Sequence, residues 1–95
     1  MRQFVENIGK EIESKGRIVA CEVFCNYCVE IREFHLNLQY YNHYDLLVLE
    51  LFSKRQSIIK LYEDEYDYLY SIICKLKQKQ EDEFITLFTN LNDNN

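Results

Sequence analysis

A chain of 95 residues, 47% apolar and 28% charged, can build one modest hydrophobic core and folds as one domain. Its net charge of −5 disfavours non-specific nucleic-acid binding, which needs a basic surface to release counterions, and leaves basic protein surfaces as partners. No run approaches the roughly 18 apolar residues of a membrane span, and the N-terminus lacks the apolar centre of a signal peptide.

Residues 2–15 read as a helix, with Phe4, Val5, Ile8 and Ile12 on one face and Glu6, Lys10, Glu13 and Ser14 on another. Gly16 follows at the position of a left-handed C-cap. From Val19 to Ile31 apolar residues fall at every second position, and after a slip of phase Phe34, Leu36, Leu38 and Tyr40 alternate with polar neighbours. YDLLVLELF and SIIKLY are two further strand-like runs, with turns expected near Asn26, at Asn42–His43 and at Ser53–Gln56. Asp64 is a candidate N-cap for a helix over 64–79, with Leu69, Ile72, Ile73 and Leu76 as its buried stripe. A short last helix is expected over 82–91, burying Phe84, Leu87, Phe88 and Leu91, before a disordered polar tail at 92–95.

The order predicts an α+β domain over 1–91: an N-terminal helix, three or four antiparallel strands, and two C-terminal helices packed on one face. A competing all-α bundle is written in the same residues, because Phe52, Ile59, Tyr66 and Ile73 repeat every seventh position. The second face of the sheet is expected to be partly apolar, which would allow a homodimer.

Two stretches carry candidate chemistry. CEVFCNYC places Cys21, Cys25 and Cys28 at C-x3-C-x2-C. With Cys74, or with His35 or His43, they make a candidate zinc set, and zinc is the cofactor such a set would hold. On a strand, Cys21 and Cys25 would stand about 13 Å apart and Cys28 would face the other way, so the principal expectation is buried thiols and no cofactor. The spacing resembles the cluster-binding fingerprint of radical SAM enzymes over residues 21–28, although the chain is too short for the barrel that such enzymes need.

LYEDEYDYLY is the second. Glu63, Asp64, Glu65 and Asp67 are interleaved with Tyr62, Tyr66, Tyr68 and Tyr70. Acids suit a helix start, while tyrosines and carboxylates together suit a protein-binding patch that meets Lys and Arg. No glycine-rich phosphate loop or nucleophile elbow is present, so no enzymatic activity is expected. An N-terminal helix followed by GRIVACEVF and LFSKRQSIIKL is similar to the layout of Sm-like proteins, which would imply a subunit of an RNA–protein particle.

The principal expectation is a small acidic inhibitor, counter-defence factor or assembly subunit that occludes a basic partner surface. Four cysteines without a secretory signal suggest free thiols and a cytoplasmic location, or a host's cytoplasm or nucleus. Residues with AT-rich codons (Phe, Tyr, Met, Ile, Asn, Lys) total 39 against 7 for Gly, Ala, Arg and Pro, which points to an AT-rich genome, viral or parasitic ones included.

Overall fold

The computed structural model describes residues 1–20, 27–41, 44–51 and 55–93. Helix α1 (Gln3–Lys15) leads into strands β1 (Arg17–Val19), β2 (Tyr27–Ile31), β3 (Phe34–Tyr41), β4 (Tyr44–Leu51) and β5 (Arg55–Leu61), and helix α2 (Glu63–Asp93) follows. The strands form one antiparallel sheet in sequence order, a five-stranded meander. The class is α+β, as the alternation predicts, and Ile59 on β5 excludes the all-helical reading.

Two details differ. The sheet has five strands rather than three or four, because Arg17–Val19 forms a strand of its own paired with β2. The two expected C-terminal helices are one helix of 31 residues. No proline or glycine interrupts residues 64–93, so nothing forces a break between the Lys-rich and acidic turns. Helix α2 also runs to Asp93, into the expected tail, and β5 begins at Arg55, inside the turn expected at Ser53–Gln56; residues 94 and 95 lie outside the described ones, as do the expected turns at Asn26 and Asn42–His43.

Both helices pack on the same face of the sheet. Register pairs Tyr27 with Leu38, Val29 with Leu36 and Ile31 with Phe34, so the apolar positions of β2 and β3 line one side. Val29, Ile31, Leu36, Leu38 and Leu61 from the sheet meet Val5 and Ile12 of α1 and Leu69, Ile72 and Ile73 of α2. Each such side chain contributes about 1.5–3 kcal/mol through burial. Phe4 departs from the expected stripe and is exposed, stacked against the Arg2 guanidinium 4.9 Å from its ring centroid.

Three local devices fix the packing. Gly9 lies against α2, where an added Cβ would come within 2.5 Å of the Tyr68 ring. Gly16 is not a left-handed cap: its φ is −71°, and its N–H donates to Ile12 O at 2.9 Å. Glycine is required there because a Cβ would fall 2.5 Å from that same carbonyl oxygen. Between β2 and β3 the chain reverses in two residues, and Arg32 takes φ 55°, a conformation that suits glycine far better.

Candidate functional site

The acidic tyrosine stretch forms the connection from β5 into α2 and the first turns of that helix. The helix begins at Glu63, so Asp64 is not the N-cap; it lies inside the first turn. Tyr62 occupies the N-cap position, and the Glu65 carboxylate, three residues on, accepts the Tyr62 N–H at 2.9 Å. This is the reaching-back half of a capping box.

Glu65 is fully buried. Its Oε2 accepts Arg2 Nε at 2.8 Å and the Arg2 backbone N–H at 3.3 Å, and its Oε1 accepts Arg2 Nη2. The Arg2 hydrogen bonds, set against the cost of burial, hold the Glu65 carboxyl down at about 2. Arg2 also donates to Lys60 O at 2.9 Å and lies 4.8 Å from the Tyr62 ring centroid. Arg2 therefore ties the chain start to the end of β5 and the start of α2. Glu65 cannot contact a partner, which corrects its place in the predicted patch.

The other acids stay outside. Glu63, Asp64 and Asp67 are exposed, beside Tyr62 at 65% and Tyr70 at 39% exposure. Glu63, Asp67 and Tyr70 follow at i, i+4 and i+7, which puts them on one helix face. Tyr66 stacks on Tyr70 at 6.1 Å, and Tyr27 of β2 meets Tyr70 edge-on at 5.2 Å. Hydrogen bonding with Tyr27 and then with Cys74 pushes the Tyr70 hydroxyl up to about 12, so it stays protonated as a donor. Tyr68 turns inward instead, its hydroxyl donating to Glu6 O at 3.4 Å. The patch is thus Tyr62, Glu63, Asp64, Asp67 and Tyr70, backed by Tyr66 and Tyr27.

Of the four cysteines, Cys28 and Cys74 are among the described residues, and they stand apart. Cys28 is buried on β2 between Tyr27 and Val29, on the sheet face away from the helices, and it is disulfide-bonded. That departs from the free thiols expected, and a disulfide sulfur offers no thiolate to a metal. Cys74 is a free, half-buried thiol on α2, across the sheet from Cys28. Cys21, Cys25 and His43 lie outside the described residues, and His35 is half-buried on β3 opposite Glu30. Among the described residues no three His, Cys, Asp or Glu side chains converge on a metal position. A hollow of about 330 Å³ between α1 and the β2–β3 turn is lined by Ile8, Ile31, Phe34 and Leu36 with Asn7, Glu11 and Arg32, a set without a nucleophile–base pair.

A second surface was missed. Phe84, Leu87, Phe88 and Leu91, expected to be buried, are each more than half exposed, and so is Ile85. The Ile18 N–H donates to Gln80 Oε1 at 2.7 Å, and the apolar residues beyond it project past the sheet. The signal was the uninterrupted helical pattern through residues 76–91, which carries the stripe past Gln80.

No family model, no curated protein and no solved structure matches the chain. No helix among the described residues is long and apolar enough to cross a membrane.

Proposed function

We propose that this chain is a non-enzymatic protein-binding module whose acidic, tyrosine-bearing end of α2 occludes a basic surface of another protein, as an inhibitor or a small assembly subunit would. The observation that carries this reading is the exposure of Glu63, Asp64 and Asp67 beside Tyr62 and Tyr70 on a helix start held in place by Glu65 and Arg2. Tyrosines with few free torsions give contact area at low entropy cost, and flanking carboxylates steer a basic partner into place. A net charge of −5 adds a long-range field of the same sign. The reading calls for no cofactor and no nucleic acid.

The test compares the wild-type chain with the triple variant Glu63→Lys, Asp64→Lys, Asp67→Lys as bait in an extract of the source organism. A specific partner is captured by the wild type at low salt and released as salt rises. The triple variant loses that partner while keeping the wild-type circular dichroism spectrum. A partner bound equally by both baits sinks the proposal.

A further inference from the structure

We infer that the exposed stripe on the second half of α2 is a self-association surface, on which a second copy of this chain packs its own α2 antiparallel across a two-fold axis. This inference does not depend on the acidic end, which lies at the other end of the same helix.

The first argument is the helix itself. At about 1.5 Å per residue, residues 81–93 carry α2 roughly 20 Å past the Gln80 contact. The molecule measures 51 × 28 × 24 Å, its long axis matching a 31-residue helix. Residues 81–93 extend a helix already nucleated by its packed first half, so what they lack is the tertiary packing that supplies most helical stability. The projecting half has an amphipathic pattern, with Phe84, Leu87, Phe88 and Leu91 at i, i+3, i+4 and i+7 and Asp82, Thr86, Thr89 and Asn90 turned elsewhere. Such a stripe needs a surface against it.

The second argument is area. A buried aromatic side chain covers about 150–250 Å². The four stripe residues, each at 53–64% exposure, therefore offer on the order of 400 Å² per copy. Two copies would bury about 800 Å² through the stripe alone, the size of a weak, concentration-dependent interface.

The third argument sets the orientation. Leu69, Ile73, Leu76 and Gln80 face the body of the protein, and Phe84, Leu87 and Leu91 continue that same helix face. In a parallel pair both bodies would occupy the space in front of that face at the same level. In an antiparallel pair they stand at opposite ends. Each helix end then approaches the partner's crevice between β1 and α2, which Arg17, Leu76, Phe84 and Leu87 line. Antiparallel helix dipoles also oppose each other favourably.

The experiment is light scattering on the full chain over a range of concentrations, with amide hydrogen exchange on the same samples. The wild type should reach twice 11.6 kDa, and exchange in residues 81–91 should slow by about tenfold or more as the mass rises. The variant Phe84→Glu, Phe88→Glu should halve the apparent mass and lose that protection, while exchange at Val29, Leu38 and Leu69 stays slow. A wild type that remains at 11.6 kDa overturns the inference. So does a doubled mass that the variant keeps, or a doubled mass whose new protection lies outside residues 81–91.

Discussion

The two halves of α2 belong to one uninterrupted helix and have opposite surroundings. In the first half Glu65, Leu69, Ile72 and Ile73 are buried against α1 and the sheet. In the second half Phe84, Leu87, Phe88 and Leu91 repeat the spacing of Leu69, Ile72, Ile73 and the partly buried Leu76, and are open. Helical periodicity is therefore a statement about a face, and what covers the face is decided by how far the other elements reach. Here the last hydrogen bond from the sheet to α2 among the described residues is Ile18 to Gln80, and beyond it the stripe meets the body only at the crevice beside Arg17.

The sharpest way to test that contrast is one substitution in each half. Leu69→Ala should cost about 4 kcal/mol in urea unfolding, since a fully buried leucine leaves a cavity. Leu87→Ala should change the stability of a dilute, monomeric sample by less than about 0.5 kcal/mol. Equal costs would mean that the second half is packed in the monomer.

Glu65→Ala should rank next, at about 1–2 kcal/mol, because it uncaps α2 and releases the partly exposed Arg2. The same contact sets an acid limit. Glu65 has a folded-state pKa lowered from 4.5 to about 2, so its contribution is present above the ordinary carboxylate range and is lost as pH falls through that window. Thermal melts from pH 6 down to about pH 2 should show a loss that Glu65→Gln largely removes. A wild-type melting temperature independent of pH below about 4.5 would contradict the Arg2 contact.

Smaller effects test the joint between α1 and the first half of α2. Gly9→Ala should destabilise by about 1–2 kcal/mol although alanine is the better helix former, because the new Cβ meets the Tyr68 ring. In a Tyr68→Ala background the same change should turn neutral or stabilising. Smallest is Arg32→Gly, expected to stabilise by about 1 kcal/mol in chemical unfolding by relieving a positive φ. A loss there would assign more weight to the exposed Arg32–Glu11 pair at 3.9 Å.

Much of this was legible in the residues. The two-residue alternation in Phe34–Tyr41 and the run SIIKLY predicted strands, and the spacing of Val5, Ile8 and Ile12 predicted α1. The β2–β3 turn was visible only as a slip of phase, because Arg32–Glu33 carries none of the usual turn residues. In the candidate patch the sequence marked Glu63, Asp64, Glu65 and Asp67 alike. Nothing local distinguishes the third from its neighbours, since its partner Arg2 lies 63 positions away.

The sequence by itself determined the α+β class, the helix-to-strand order and the positions that form apolar faces, because these follow from local periodicity and side-chain chemistry. Only the tertiary structure decided which faces are covered. It buried Glu65 by bringing Arg2 to it, divided the tyrosines between the surface and the α1 contact, and left the end of α2 open. Those outcomes depend on the lengths and relative placement of distant elements, which no local pattern encodes.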